Sequence, residues 1–180
     1  MNVDLKVKQE GNGLKNIELR LISELIKNSR RSDRELAKAI GISQPTVSRI
    51  RVRLEKQGLI DYSAIPNMAK LGFEIIAVTL AKRNYKKQPE VNVQKARDFV
   101  KLYSNVIFVA SGSGLGRDRI LISIHRNYSD YSKFVQEMKA EWGGWAELES
   151  FLISLAGKDV VQPLSLKPFA EHLKKEEELK

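Results

Sequence analysis

Gln44, Thr46, Ser48 and Arg49 fall within six consecutive positions. Their chemistry suits base edges: a guanidinium can bond bidentately to guanine, and a carboxamide to adenine. The hydroxyls of Ser43, Thr46 and Ser48 can donate or accept beside them, and Ser32 sits a little upstream. Arg51, Arg53 and Lys56 follow and suit phosphates, whose contacts fix register and supply much of the affinity. Residues 27–56 carry Lys27, Arg30, Arg31, Arg34, Lys38, Arg49, Arg51, Arg53 and Lys56 against Asp33, Glu35 and Glu55. That is a local excess of +6 within a net charge of +9. Clustered positive charge predicts an anionic partner, and double-stranded DNA is the partner these residue types fit.

A second candidate site is the glycine-rich run from Ser111 to Asp118, with Gly112, Gly114 and Gly116 inside it. It lacks the Gly-Lys-Ser/Thr ending of a phosphate-binding P-loop, and its spacing is wrong for a dinucleotide fingerprint. Backbone N–H groups there could cradle an anion, and Asp118 could hold an ammonium group. An ordinary hairpin turn, with an Asp bonded to its own backbone, reads equally well.

Other chemistry is scarce. There are no cysteines, and His125 and His172 make no metal-binding pattern, so thiol catalysis, a metal site and a cofactor are not expected. His125 closes a strand and reads as a surface or interface residue. Trp142-Gly-Gly-Trp145 reads as a helix end with two packed aromatics, and Tyr85–Pro89 as a solvated basic loop. The opening MNVDLKVKQEG has no apolar core for a secretory signal. No apolar run approaches the roughly 20 residues of a membrane helix. The expected location is the cytoplasm.

These residues need elements to position them. Ile17, Leu21, Ile22 and Leu25 recur at helical spacing and predict a first helix from Leu14 to Asn28. Ser32 and Glu35 have capping-box spacing and open a second helix, which Gly41 ends. Ser43 is a suitable N-cap for a third. Pro45 falls in its first turn, and Val47, Ile50 and Leu54 form its stripe. Two short helices around a Gly-Ile-Ser turn form a helix-turn-helix, whose second helix presents its N-terminal residues to the major groove. Leu59 to Ile65 alternates in a way that suits a small two-stranded wing.

After a linker at 66–72 the periodicity changes. Strands are predicted at Phe73–Lys82, Val106–Ser111, Arg119–His125 and Leu148–Leu155. Helices are predicted over Val93–Tyr103 and Tyr131–Trp142. This β-α-β-β-α-β order is ferredoxin-like. The first two strands are apolar on both faces, so the face without helices should meet a second subunit. The expected class is therefore α+β. Residues 1–65 form a winged helix-turn-helix, and 73–166 a ferredoxin-like dimerisation and effector-sensing domain. Residues 167–180 form a C-terminal helix and exposed tail.

The stretch from Glu35 to Leu71 resembles the DNA-binding domain of the Lrp/AsnC (leucine-responsive, feast/famine) family. Leu36-Ala37, Gly41-Ile42-Ser43, Thr46-Val47-Ser48-Arg49, Leu54-Glu55 and Gly58-Leu59-Ile60 carry the resemblance. One departure is visible: the family's Arg-then-aliphatic pair is reversed here as Ile50-Arg51. With the second domain included, the resemblance spans residues 14–166. It implies a transcription regulator that forms dimers or larger homo-oligomers and binds an amino acid or related metabolite between its domains. The family's Gly-then-Asp turn is matched by Gly112 and Asp118, with Gly114 and Gly116 between them. Three rivals stay open. Sirohaem decarboxylases share the two-domain plan and could use His125 and Arg126. A ferredoxin-like phosphatase could use the glycine run with Arg117 or Arg119. An architectural DNA binder would have no effector.

Overall fold

The computed structural model describes residues 15–84, 93–142, 144, 146–157 and 160–178. The opening segment with Leu14, the Tyr85–Pro89 loop, Gly143 and Trp145 lie outside them, as do the side chains of Val93, Ala96 and Trp142. The elements run α1 (Asn16–Lys27), α2 (Asp33–Ile40), α3 (Gln44–Lys56), a 3-10 turn (Ala69–Leu71), β1 (Ile75–Arg83) and α4 (Val93–Leu102). They continue with β2 (Val106–Gly114), β3 (Arg117–His125), α5 (Tyr128–Trp142), β4 (Ala146–Ser154) and α6 (Lys167–Glu178). The chain divides into two compact units, Met1–Ile65 with Leu164–Lys180, and Pro66–Pro163.

In the first unit, the stripes of α1, α2 and α3 meet in one core. Leu21, Leu25, Leu36, Ala37, Ile40, Val47, Ile50 and Leu54 are buried together, edged by Ile17, Ile22, Ile42 and Ile60. Gly41 ends α2 at φ 76°, a left-handed backbone that costs other residues roughly 1–2 kcal/mol. It allows the sharp turn into α3.

The C-terminal segment, expected as a helix with exposed last residues, forms α6 and is folded onto α1. The buried Ser23 Oγ donates to the Ala170 carbonyl at 2.9 Å. Lys27 Nζ lies 3.0 Å from Glu171 and 3.1 Å from Glu24, and Lys174 Nζ lies 3.5 Å from Glu24. Burial works against ionisation of Glu24, but the bonds from Lys27 and Arg31 outweigh it and hold its carboxyl below the usual range. Reading charge alone misplaces this segment, because its acids and lysines have partners on α1.

The second unit is one sheet in the order β2-β3-β1-β4, with every neighbouring pair antiparallel. With α4 and α5 as crossovers, it is the ferredoxin-like arrangement. Its two faces differ. Ala77 and Thr79 of β1 share a face with Ser123 and His125 of β3, and all four are buried. His125 packs against Tyr131 and Phe134 of α5, so this is the helix-covered face. On the other face the register aligns Phe108, Ile122, Val78 and Phe151 in one row across all four strands. The ends of that row are open, Phe108 at 49% and Phe151 at 71% exposure.

His125 is therefore not the surface residue expected from its place at a strand end. Its side chain is fully buried, and Nε2 shares a 2.8 Å hydrogen bond with Ser123 Oγ. The missing signal was tertiary: α5 covers it, and nothing local announces that. Among the described residues, no helix is long and apolar enough to cross a membrane.

Burial pushes the His125 imidazole below its ordinary value, and Asp130, 3.8 Å from Nδ1, opposes this only in part. A depressed histidine pKa means the unfolded chain binds the proton more tightly. Stability should therefore be full above about pH 6.5 and fall as pH drops below it. Urea midpoints of the full chain at pH 7.5 and 5.5 check this: the midpoint should fall for wild type and change less for His125→Gln. An equal change in both proteins would assign the pH effect to other groups.

Candidate nucleic-acid interface

The residues singled out for DNA begin at the α2 cap. Ser32 Oγ accepts from the Glu35 N–H at 3.3 Å, while Glu35 Oε2 accepts from the Ser32 N–H at 2.8 Å. This is the reciprocal capping box read from the spacing. Ser43 stands at the N-cap of α3, but its hydroxyl pairs with Thr46 Oγ1 at 2.8 Å instead of capping a backbone N–H. Gln44, Pro45 and Arg49 are exposed, and Thr46 and Ser48 half-buried. Val47 between them is buried in the core. The N-terminal half of α3 thus turns its apolar side inward and its polar side outward.

The basic cluster separates into two groups. Lys27 pairs with Glu24 and Glu171, Arg31 with Glu24, Arg51 with Asp33 and Glu55, and Arg53 with Glu18. Arg30, Arg34, Lys38, Arg49 and Lys56 are exposed, and among the described residues no ion pair engages them. These five are the exposed cations of the cluster without an ion-pair partner among the described residues, while Arg53 is exposed but paired.

Arg51 departs from the phosphate role its position suggested. Its NH1 donates to Asp33 Oδ1 at 3.0 Å. Its Nε reaches the Tyr62 hydroxyl at 2.8 Å and Glu55 Oε1 at 3.3 Å. The guanidinium carbon lies 4.9 Å from the Tyr62 ring centroid. Desolvation works against the charge, but Asp33 and Tyr62 outweigh it and hold the guanidinium above its ordinary value. Burial, with Glu55 nearby, pushes the Tyr62 phenol up. Arg53 bonds the buried Glu18 while keeping about half its side chain exposed. The i, i+4 pair Arg51–Glu55 was readable from spacing. The partners Asp33, Tyr62 and Glu18 were not, since only the folded helices bring them close.

The two-stranded wing expected over residues 59–65 is not formed. Those residues carry no strand pairing, because the stretch before Pro66 is too short to fold back on itself. Ile60 packs on the core, and Tyr62 rests on Arg51.

The glycine run is also not the loop expected. Gly112 and Gly114 belong to β2, and Arg117 and Asp118 to β3. Only Leu115 and Gly116 turn the chain, at φ 51° and 67°, the signature of a two-residue type I′ hairpin. A Cβ at Gly112 or Gly114 would meet nothing within 4 Å, so no packed neighbour requires glycine there. Asp118 is half-buried, and its Oδ2 accepts from the Arg83 N–H at 3.4 Å. Arg117 pairs with Glu147 at 3.3 Å and with Glu149, leaving the phosphatase reading without a free arginine at that position. The buried His125 equally leaves the decarboxylase reading without an accessible imidazole.

Comparison with known proteins agrees with this geometry. A winged helix-turn-helix DNA-binding family model matches residues 14–61. An HTH-type transcriptional regulator of Methanocaldococcus jannaschii is 32% identical over 127 residues, covering 69% of this chain and 80% of that protein. The leucine-responsive regulatory protein of Rhizobium meliloti is 26% identical over 122 residues, covering 67% and 76%. Among solved structures, a transcriptional regulator of Neisseria meningitidis in complex with L-Met matches with a TM-score of 0.69. It covers 87% of this chain and 99% of that one at 16% identity, a likeness of fold. Both sequence relatives are named as regulators, not enzymes, and the chain belongs to the Lrp/AsnC family of DNA-binding transcription regulators.

Proposed function

We propose that the protein reads a specific DNA sequence through the N-terminal half of α3. Gln44, Ser48 and Arg49 face the bases, while Ser32, Ser43, Pro45 and Thr46 border the phosphate backbone. The observation that carries this reading is the sorting of the basic cluster. Arg49 stands exposed at the recognition end, while Arg51 and Arg53 are engaged inside the unit. Arg30, Arg34, Lys38 and Lys56 supply the sequence-independent attraction, which weakens as salt rises. The reading puts the protein in the cytoplasm with its DNA.

The protein acts as a homodimer through the open sheet face. The row Phe108–Ile122–Val78–Phe151 supports this, since a contiguous exposed apolar patch is uncommon on a monomer. The effector is an amino acid or a similarly small zwitterion, held near Gly112, Gly114, Gly116 and Asp118. The N. meningitidis neighbour's L-Met complex supports that ligand class: backbone N–H groups of the glycine run take the carboxylate, and Asp118 the ammonium.

Three measurements test these points. Fluorescence anisotropy on the protein's own upstream DNA and on a shuffled duplex should show a preference that Arg49→Ala reduces about tenfold, the scale of one bidentate base contact. Unchanged preference would remove Arg49 from the readout. Sedimentation velocity should give a dimer for wild type and a monomer for Phe151→Glu. A Phe151→Glu dimer would move the interface elsewhere. In thermal melts with each amino acid, at least one should raise Tm, by the equivalent of about 2.7 kcal/mol at a hundredfold excess over its Kd. No shift with any would favour a regulator without this effector class.

A further inference from the structure

We propose that Arg51 is a positioning residue for sequence recognition: it locks α3 against α2 and seats the segment after α3 without touching DNA. The proposal rests on the reading that α3 enters the major groove, and it assigns a source for the orientation of α3 against α2.

One guanidinium ties three parts of the unit. Asp33 is the first residue of α2, Glu55 lies one turn further along α3, and Tyr62 lies beyond the end of α3. Both ends of the Asp33 pair are largely shielded, with side-chain exposures of 24% for Arg51 and 22% for Asp33. Exposed ion pairs contribute little, but a shielded fork with several acceptors fixes direction as well as distance.

The core beneath packs by shape and adds no polar contact to that direction. Leu36, Ile40, Val47, Ile50 and Leu54 are aliphatic, and apolar attraction is non-directional. Base readout is demanding: recognition groups must be held within about 10–20° of their working geometry. Residues 57–67 also have no strand ladder. Two contacts then hold the stretch just past α3, Ile60 on the core and Tyr62 on Arg51.

The test uses the full chain, the upstream and shuffled duplexes, and a salt series. Its variants are Arg51→Ala, Arg51→Lys, Asp33→Asn and Tyr62→Phe. Two quantities are read: the affinity ratio between duplexes, and the slope of log affinity against log salt. Asp33→Asn removes an acid from a basic face, so by charge alone it should tighten binding to both duplexes. The proposal expects the ratio to fall about tenfold instead. Arg51→Ala should lose the same ratio and keep the wild-type slope, and Arg51→Lys should restore part of the ratio by keeping the Asp33 pair. A slope smaller by about one for each Arg51 removed, the mark of a lost phosphate contact, would overturn the proposal. So would an unchanged ratio in Asp33→Asn. If Arg51→Ala fails to fold by circular dichroism, Asp33→Asn and Tyr62→Phe decide through the ratio alone. A wild type with equal affinity for both duplexes would sink the DNA-sequence reading itself, and is seen before any variant is compared.

Discussion

The DNA-binding unit depends on how α3 is held against α2. Burial of Leu36, Val47 and Leu54 makes the two helices adhere, at roughly 1.5–3 kcal/mol for each large aliphatic side chain. Adhesion is not orientation. Gly41 lets the chain reverse between the helices, and a turn of so few residues limits their separation more than their roll. Between α2 and α3 the directional contact is the Arg51 guanidinium, set between Asp33, Glu55 and Tyr62, while Arg53 ties α3 to Glu18 of α1. Around that tie the rest of the surface makes sense: the engaged cations are structural, and the exposed ones point outward.

The same division between structure and surface recurs in the sheet. The helix-covered face of β1 and β3 buries Ala77, Thr79, Ser123 and His125; Ser123 bonds His125 there, and Thr79 bonds Ser150 of β4. On the opposite face Phe108, Ile122, Val78 and Phe151 line up in one row, and Phe108 and Phe151 stay open. That open row is the face on which the proposed dimer rests, since a contiguous exposed apolar patch is uncommon on a monomer.

Local rules were legible in the sequence, and long-range ones were not. The capping box at Ser32 and Glu35, the Gly41 stop and the stripe Val47–Ile50–Leu54 involve residues within one or two turns, so spacing alone announces them. The strand order followed from runs of β-branched residues. The hairpin was one of two readings of the glycine run; its tightness at Leu115-Gly116 was not legible, because Gly112 and Gly114 read as loop though each sits in a strand with open space beside it. The wing was expected from alternation alone, yet alternation does not supply a partner strand. The C-terminal helix was legible, but its docking on α1 and the burial of His125 under α5 were not, because both depend on contacts across the fold. Arg51 belongs to the same class. Its residue type suggested phosphate, and only the folded unit shows which acids lie within its reach.

The account's central claim is that α3 of two paired chains reads sequence in DNA. The most direct measurement is selection of bound duplexes from a random pool by the wild-type protein, followed by sequencing. The account predicts enrichment of an inverted repeat whose half-sites lie about one helical turn, roughly 34 Å, apart. A pool that binds but shows no enriched motif would contradict it, leaving a basic surface that holds DNA without reading it.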